Sequence, residues 1–324
     1  MSLIKVLVIG GAGYIGSHVV RALLAENCAV TVYDNLSTGQ RCNVSENAEF
    51  IEGDVLDEGK LNAVMSRGFD GVVHLAAKKA VGESMVNPQL YARNNLIGSI
   101  HICNAMVDNG VKNMVFSSSS SVYGTPQYTP LDEQHPLNPL SFYGFSKVEI
   151  ERVMDWYARL KDFRYMALRY FNAVGYAADG SIIGKEENSP NLLPMIMDVI
   201  QNRRDKLLIF GNDYDTPDGT CIRDYVHVED LATAHVAAIK KLLGGSPSHI
   251  INLGTGEGLS VLDIIRAVER VTGKKVRYEF APRRAGDPAV VFAGNELAQK
   301  VLDWQPHYVD IDEIIKTVWN MEQK

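Results

Sequence analysis

Cysteine is scarce in this sequence. Its 324 residues include four, at Cys28, Cys42, Cys103 and Cys221, and no two of them stand at a CxxC or zinc-ligand spacing. Scattered thiols of this kind favour reduced, inert side chains over a disulfide framework. The eight histidines contain no HExxH or other metal-binding pair, so we predict no metal site.

Long apolar runs and surplus positive charge are also missing. No window approaches the roughly 18 uninterrupted apolar residues of a membrane span, and the run Leu7-Val8-Ile9 is shorter than the core of a signal peptide. We therefore expect a cytoplasmic protein with no membrane partner. Lys and Arg number 32 against 39 Asp and Glu, a net charge of −7. This balance argues against a nucleic-acid partner held by a general cationic field, but it leaves a local anion site open.

The sequence does contain a regular alternation of strand-like and helix-like segments. The run Lys5–Ile9 predicts a strand buried on both faces of a parallel sheet, 17–25 has the apolar spacing of a helix, and 30–33 resembles a second strand. Further strands are predicted at 49–52, 71–75, 113–116 and 164–169. Strands that alternate with helices predict an α/β fold with a doubly wound parallel sheet, Rossmann-like in architecture.

The alternation is lost after about Asn172, where glycine-rich turns separate shorter elements. We predict a dinucleotide-binding domain over 1–174 and a smaller α/β substrate-binding domain over 175–324. The strand-like segment 250–253 is placed to return to the main sheet. A segment near 225–256 is therefore expected to pack on the first domain.

A glycine-rich segment joins the first strand to the first helix, with Gly10, Gly13 and Gly16 at GxxGxxG spacing. At this place backbone N–H groups and the helix dipole hold a pyrophosphate. Gly10 permits the turn, Gly13 allows close approach of the backbone, and Gly16 allows tight packing of helix on strand. The motif alone also fits a turn without a ligand, but its position favours a dinucleotide.

Two aspartates follow the next strands. Asp34 ends the second predicted strand, where a carboxylate accepts hydrogen bonds from both hydroxyls of a ribose. A 2′-phosphate there would meet a like charge, so NAD is favoured over NADP. Asp54 follows the third predicted strand, and it either borders an adenine or is a plain turn aspartate.

Tyr143 and Lys147 stand four residues apart, on one face of a predicted helix. An ammonium within a few ångström favours a phenolate, so we expect Lys147 to lower the pKa of Tyr143 and make it a base near neutral pH. Ser119 follows a predicted strand and is placed to hold a substrate oxygen. The YxxxK spacing is also common on solvated helix faces. Beside the glycine turn, Asp34 and Ser119, it indicates a catalytic site.

These residues together resemble the extended short-chain dehydrogenase/reductase family and, within it, the UDP-glucose 4-epimerases. The similarity runs nearly end to end. It is carried by the glycine segment at 10–18, Asp34-Asn35-Leu36-Ser37, Lys79-Ala80-Val81-Gly82-Glu83-Ser84, Asn94-Asn95, Val122-Tyr123-Gly124, Arg169-Tyr170-Phe171-Asn172, Asp218-Gly219-Thr220 and Arg223-Asp224-Tyr225.

The resemblance implies a reversible 4-epimerisation of UDP-glucose and UDP-galactose. Tyr143 would take the proton of the sugar 4-hydroxyl, while the C4 hydride passes to a firmly bound NAD and returns to the other face of a 4-keto sugar. Ser119 and Lys147 would complete the catalytic set. The resemblance also implies a homodimer. Helical segments near 97–106 and 148–160 have apolar residues that either pair the two subunits or belong to the core of one subunit.

Matching positions assign further residues by resemblance alone. The implied NAD contacts are Tyr14, Ile15, Asn35, Val55, Leu75, Ala76, Lys79, Asn94, Tyr170 and Phe171. The implied substrate contacts are Ser121, Asn172, Asn191, Leu192, Leu208, Ile209, Phe210 and Asp287, with Arg223 and Arg284 clamping the diphosphate. Without the resemblance, these arginines would be interpreted as surface ion pairs. Val291 stands at the position where some relatives have a bulky aromatic residue that narrows the sugar pocket and others have a small residue that leaves it open. Valine is intermediate in size, which predicts that UDP-N-acetylhexosamines also enter.

Three other functions share part of this pattern. A sugar-nucleotide 4,6-dehydratase would use Tyr143, Lys147 and NAD, but it needs an acid–base pair where Ser120 and Ser121 stand here. A net dehydrogenase or reductase would exchange its cofactor, whereas an epimerase would retain it. A non-enzymatic NAD-sensing protein would keep the glycine turn and could dispense with the Tyr/Lys pair.

Overall fold

The structure, a computed structural model, describes residues 3–185, 189, 191–284 and 286–324. Its strands are β1 (Lys5–Ile9), β2 (Ala29–Asp34), β3 (Glu49–Glu52), β4 (Gly71–His74), β5 (Asn113–Ser119), β6 (Arg164–Tyr170), β7 (Asn172–Val174), β8 (Leu207–Phe210), β9 (Ile222–Arg223), β10 (Tyr225–His227), β11 (His249–Leu253), β12 (Leu259–Ser260), β13 (Tyr278–Ala281) and β14 (Val290–Val291). Its helices are α1 (Tyr14–Ala25), α2 (Glu58–Met65), α3 (Val81–Val86), α4 (Pro88–Tyr91), α5 (Gly98–Asp108), α6 (Phe142–Leu160), α7 (Leu192–Ile200), α8 (Val228–Leu243), α9 (Val261–Thr272), α10 (Glu296–Leu302) and α11 (Ile311–Glu322). A π-helical turn at Ala92–Ile97 precedes α5, and 3-10 turns lie at Arg41–Asn43 and Ser120–Val122. Among the residues just given, no helix is long and apolar enough to cross a membrane.

Seven of these strands form one parallel sheet in the order β11-β6-β5-β4-β1-β2-β3. The doubly wound, Rossmann-like architecture predicted from the alternation is thereby confirmed. The chain runs outward from β1 to β3 and then crosses to β4 on the other side of β1. The connections after β1 and β4 therefore diverge, and this opens a crevice at the carboxyl ends of the strands, where such folds bind ligands.

Side chains of the central strand alternate between two apolar layers. Val6 and Val8 face the layer that contains α1, α8 and α10, whereas Leu7 and Ile9 face α2, α5 and α6. All four side chains are fully buried. A strand covered on both faces needs a continuous apolar run, which explains why β1 was recognisable in the sequence.

A separate apolar core lies later in the chain. It packs Ile196 of α7, Ile264 of α9 and Ile315 of α11 with Ile209 of β8. Small sheets beside it pair β8 with β13, and β9 with β12 and β14. The segment from α8 to β11 lies in the layers of the main sheet instead. The division of the chain at residue 174 stays a prediction.

A buried polar network fastens α6 to the sheet. Arg169 of β6 and Glu151 of α6 are 2% and 3% exposed, and they form a two-point ion pair with N–O distances of 2.9 and 2.6 Å. Ser118 of β5 donates to the same carboxylate at 2.5 Å. Arg169 also donates to the Tyr123 hydroxyl, which donates in turn to Oδ1 of Asn252 in β11. The two buried charges are therefore paired and hydrogen-bonded, as burial of charge requires.

Arg169→Met should lower the free energy of unfolding by about 3–5 kcal/mol, because it leaves the Glu151 carboxylate buried without its ion-pair partner. Urea unfolding measures this free energy. The matched control is Arg152→Met, on the helix that carries Glu151, since the Arg152 side chain is 64% exposed in its ion pair with Glu149. A pair of that kind contributes less than about 1 kcal/mol. Equal losses in the two variants would contradict a structural role for the buried pair.

Candidate functional site

A deep cleft opens at the carboxyl ends of β1, β2 and β4. Its volume is ≈ 440 Å³, within the roughly 300–1,000 Å³ typical of small-molecule sites. The cleft brings together most of the residues predicted to hold a dinucleotide. On its walls lie Gly10, Gly13, Tyr14, Ile15, Gly16, Asp34, Asn35, Val55, Leu75, Ala76, Lys79, Asn94, Tyr143, Lys147, Tyr170 and also Asn191.

Three glycines build the turn at the base of the cleft. Gly10 has a φ of +88°, and a Cβ on it would lie 2.5 Å from the backbone nitrogen of Ala76. A Cβ on Gly16 would collide with the Gly10 carbonyl. Gly13 caps α1, and within the described chain α1 has neither a side-chain cap nor an acidic residue in its first turn. The N-terminus of α1 is therefore open to an anion such as a pyrophosphate.

Asp34 enters the same cleft from the end of β2. It is buried, and its two oxygens accept hydrogen bonds from the backbone N–H groups of Ala12 at 2.9 Å and Leu36 at 2.8 Å. Burial raises the pKa of Asp34, and these two hydrogen bonds oppose the rise. They also fix the orientation of the carboxylate, whose remaining lone pairs suit the two hydroxyls of a ribose.

Asp54 lies beside the cleft rather than on its wall. Its carboxylate accepts from Nδ2 of Asn35 and from the backbone N–H of Leu56, both at 2.9 Å. Its neighbours Gly53 and Val55 line the cleft. The interpretation of Asp54 as a turn residue accounts for these contacts, and a contact with an adenine stays a prediction.

A π-helical turn supports the lysines of the cleft. Asn95, in Ala92–Ile97, accepts from the backbone N–H of Lys78 and donates to its carbonyl, both at 2.9 Å. This exchange holds the loop that carries Lys79 against the turn. Lys78, Lys79 and Asn94 all line the cleft. Such turns occur frequently at functional sites, and here the turn sets positive charge beside the predicted dinucleotide.

Tyr143 and Lys147 project from the first two turns of α6. Lys147 is 2% exposed; its Nζ donates to the Ser117 carbonyl at 2.6 Å and lies 5.7 Å from the centre of the Tyr143 ring. The Ser119 hydroxyl, at the end of β5, lies near the Tyr143 side chain and acts to lower its pKa. The structure thus brings the three residues predicted to be catalytic into one group.

Burial dominates the electrostatics of this group. It raises the pKa of Tyr143, and the Ser119 hydroxyl opposes the rise. Burial also lowers the pKa of Lys147 to about 7, although the Glu151 carboxylate acts to raise it. The pKa of Tyr143 is therefore above its ordinary value, and the lowering of that pKa by Lys147 stays a prediction.

The arginines assigned to a diphosphate lie in a second cluster, outside the walls of the cleft. Arg223 forms an ion pair with Asp287, and the Arg284 guanidinium stacks 3.9 Å from the centre of the Phe210 ring. The pairing of β9 with β14 sets Val291 directly beside Arg223. Guanidinium groups held by an ion pair and by ring stacking are pre-oriented to bind a phosphate through two parallel hydrogen bonds.

Two residues assigned by resemblance have buried side chains instead of exposed ones. Ile209 is 2% exposed and belongs to the apolar core of the later region, whereas Leu208 is 43% exposed. Phe171 packs with Tyr123 and Val291 and does not line the cleft, whereas Tyr170 does. Successive residues of an extended strand face opposite sides, so a stretch of matching sequence includes residues that turn away from a ligand.

Short contacts connect the cleft with the second cluster. Ser119 donates to the Ser121 hydroxyl at 3.2 Å, and Nδ2 of Asn172 donates at 2.8 Å to the carbonyl of Asp224, the residue after Arg223. Asn191 lines the cleft and caps α7, which begins at Leu192. The Asn172 bond therefore joins the segment after Tyr170, a residue of the cleft wall, to the residue next to Arg223.

Sequence reasoning missed most of the polar residues on the outer wall of the cleft. These are Ser37, Thr38, Gln40, Asn43, Glu83, Gly184, Lys185 and Ser189, together with Ser117 at its inner end. Ser37 and Thr38 follow Asp34 closely, and that position is a signal that could have found them. Gly184 and Lys185 have no such signal, because they reach the wall through hydrogen bonds to residues 141 and 145 positions earlier.

The donor set of the cleft fits NAD. A glycine cradle that a Cβ would fill, an open helix N-terminus and an oriented carboxylate match a pyrophosphate and a ribose. In the ranges that the structure describes, no group of three or more His, Cys, Asp or Glu side chains is placed to hold a metal ion.

Known proteins are similar to this chain along nearly its whole length. A family model described as "NAD dependent epimerase/dehydratase family" matches residues 6–254. The UDP-glucose 4-epimerase of Lacticaseibacillus casei is 44% identical over 319 residues, covering 98% of this chain and 96% of that protein. The crystal structure of UDP-glucose 4-epimerase from Brucella ovis in complex with NAD has a TM-score of 0.95 at 42% identity, covering 97% of each chain. The UDP-Glc/GlcNAc 4-epimerase from Campylobacter jejuni has a TM-score of 0.87 at 38% identity, covering 99% of each chain.

Proposed function

This chain belongs to the NAD dependent epimerase/dehydratase family, and we propose that within it the protein interconverts UDP-glucose and UDP-galactose by inverting C4 of the sugar. The similarity to UDP-glucose 4-epimerases over nearly the full length confirms the resemblance drawn from the motifs. The single observation that carries the proposal is that Tyr143 and Lys147 lie together on the wall of the dinucleotide cleft, with Nζ of Lys147 5.7 Å from the centre of the Tyr143 ring. We assign the sugar of the substrate to the space beside this pair.

NAD is the cofactor, and when bound it accepts a hydride from C4 and returns it. The N-terminus of α1 at Gly13 would hold its pyrophosphate, and Asp34 would hold a ribose. A 2′-phosphate would be repelled by the Asp34 carboxylate, so the site suits NAD rather than NADP. Lys79, Asn94 and Lys147 line the rest of the cleft, where we assign them to the other half of the cofactor.

Tyr143 moves the proton of the sugar 4-hydroxyl. Its phenolate accepts that proton as the hydride leaves C4, and its phenol gives the proton back when the hydride returns. The Ser119 hydroxyl donates to Ser121 in this structure; turned toward Tyr143, it would donate to the phenolate oxygen and favour the reactive form against the effect of burial. Lys147 lies one helical turn after Tyr143, and its ammonium donates to the Ser117 carbonyl. We assign it to the ribose of the nicotinamide half.

The nucleotide, rather than the sugar, anchors the substrate. We assign the diphosphate to Arg223 and Arg284, and a uridine ribose hydroxyl to Asp287. The uracil would lie against Leu208 and Phe210, with only the backbone of Ile209 available beside them; Asn172, Asn191, Leu192 and Ser121 border the diphosphate and the sugar. Anchoring at the nucleotide leaves the sugar free to turn, as inversion requires, because the hydride must return to the opposite face.

The alternative functions fit these residues less well. A 4,6-dehydratase needs a carboxylic acid and a base beside Tyr143, but Ser120 and Ser121 follow Ser119 on that side. A protein that only senses NAD has no need for the Tyr143–Lys147 pair.

The purified protein should convert UDP-galactose to UDP-glucose without added cofactor, and denaturation should release NAD from it. Proton NMR of the anomeric and C4 signals follows the inversion, and the supernatant of the denatured protein is assayed for NAD. A dehydrated 4-keto-6-deoxy product would identify a dehydratase, and turnover that consumes added cofactor would identify a net oxidoreductase.

Tyr143→Phe tests the role of Tyr143 in the same assay. It should reduce turnover by roughly 10²–10⁴-fold, because the group that moves the proton is lost, while NAD remains bound. Tyr157→Phe is the matched variant on the same helix, since its hydroxyl donates to Asn104 on the protein surface. Near-normal turnover in Tyr143→Phe would contradict the assigned role.

Val291 is expected to let UDP-N-acetylglucosamine enter as well. Its side chain packs beside Phe171 and next to Arg223, at the predicted wall of the sugar pocket, and the Campylobacter relative carries both sugars in its name. The protein should therefore epimerise UDP-N-acetylglucosamine. Val291→Tyr should abolish that activity while UDP-galactose is still converted. No turnover of the N-acetylated sugar at high enzyme concentration would refute the expectation.

We also propose that two copies pair through α5 and α6. Both helices expose large apolar side chains, among them Ile97 just before α5, and Ile100, Phe145, Trp156 and Leu160. We assign these exposed side chains to the surface through which the two copies pair. Light scattering should give twice the mass of the chain, and Trp156→Glu should shift it toward a single copy; a monomeric wild-type protein would reject the pairing.

The cytoplasm is the proposed location. Cys28, Cys103 and Cys221 are buried free thiols, which suits a reducing compartment. Cell fractionation with an antibody to the protein tests this, and recovery outside the cytoplasmic fraction would exclude it.

A further inference from the structure

Two loops far apart in the sequence meet across the outer side of the cleft. Asn43, at the end of the 3-10 turn Arg41–Asn43, exchanges two hydrogen bonds with Gly184: its Nδ2 donates to the Gly184 carbonyl at 3.1 Å, and its Oδ1 accepts from the Gly184 N–H at 2.7 Å. Gln40 donates from Nε2 to the Lys185 carbonyl at 2.6 Å. We call these three bonds, and the four residues that make them, the clasp.

The clasp lies over the pyrophosphate end of the cleft. The backbone N–H of Gln40 donates to the carbonyl of Ala12 in the glycine turn at 3.0 Å. Gly39 lies so close to that turn that a Cβ on it would come within 2.9 Å of Ala12. All four clasp residues line the same cleft as Gly13. A molecule held on the N-terminus of α1 would therefore lie between the glycine turn and the clasp.

The outer side of the clasp is anchored to the last helix. Nζ of Lys185 lies 2.8 Å from Oε2 of Glu322 in α11, and Arg203 donates to the same oxygen at 3.0 Å. Burial raises the pKa of Glu322, but these two cations outweigh burial and hold the pKa below its ordinary value. The anchor is therefore ionised at neutral pH.

Gly184 has no room for a side chain in this arrangement. A Cβ on it would lie 2.5 Å from Oε1 of Gln40 and 2.6 Å from Nδ2 of Asn43. The close approach of the two loops thus depends on the glycine on one side and on the two amides on the other.

We infer that the clasp retains NAD on the protein between the two hydride transfers, with Asn43 and Gln40 as positioning residues for the cofactor. The inference rests on the proposed function, because a reaction without net redox change uses one cofactor molecule for both transfers. A protein that lost the cofactor after the first hydride transfer would be left with a 4-keto sugar that it could not reduce. Retention is therefore part of the catalytic cycle, and the clasp is placed to provide it.

Asn43→Ala tests the inference by removing both bonds to Gly184. The holoenzyme is mixed with an excess of 1,N6-etheno-NAD, and the exchange of bound NAD is followed by fluorescence. Exchange should be about 10- to 100-fold faster than in the wild-type protein, in line with the loss of two hydrogen bonds. Asn47→Ala is the matched control, because Asn47 is an exposed asparagine of the same loop and does not line the cleft. It should exchange NAD at the wild-type rate.

Gly184→Ala tests the clasp from the other loop and should also accelerate exchange. Saturating NAD should restore turnover in both variants without a change in the KM for UDP-galactose, since no clasp residue is assigned to the sugar; a merely structural defect would not be rescued in this way. Exchange at the wild-type rate in both variants would overturn the inference while the epimerase assay stayed positive. A wild-type protein that binds NAD but converts no UDP-sugar would instead overturn the proposed function.

Discussion

The height of the catalytic helix above the sheet is set by a single buried carboxylate. Glu151 lies two turns after Tyr143 and one turn after Lys147, so all three project from one face of α6. The carboxylate bonds Ser118 of β5 and Arg169 of β6 at the same time. A shift of the helix along either strand would break a charged hydrogen bond where water cannot replace it. The position of the Tyr143 phenol, to which we assign the proton transfer, therefore depends on an ion pair that lies outside the cleft.

Charge acts at short range in this protein. The chain carries a net charge of −7, yet its cofactor and its proposed substrate are both anions. The N-terminus of α1, the lysines of the cleft and the Arg223–Arg284 cluster supply local positive potential where each phosphate would lie. Surface carboxylates farther away are screened by salt over about 10 Å. Net charge excluded a general cationic surface, but it held no information about a site built from a few oriented donors.

Much of the fold could be predicted from the sequence because its central strands are buried on both faces and must be apolar throughout. The glycine turn and the Tyr143–Lys147 spacing are local patterns, and they became informative only through their positions beside Asp34 and Ser119. The side-chain direction of Ile209 could not be predicted, because matching sequence does not say which face of a strand a residue occupies. The burial that raises the pKa of Tyr143 was not predictable either, because it depends on what packs around α6. Asn43 escaped notice because its partner, Gly184, lies 141 positions away.

The seventh strand of the sheet comes from late in the chain. β11 is the neighbour of β6 on its outer side, and Asn252 within it completes the polar network at Tyr123. Residues 1–248 leave the ribosome first, so during synthesis β6 remains an open edge with unpaired backbone groups, the kind of edge that invites pairing with other chains. Closure then requires a contact between distant parts of the sequence, which is slow to form. The edge of β6 is therefore covered only after β11 has been synthesised and has paired with it.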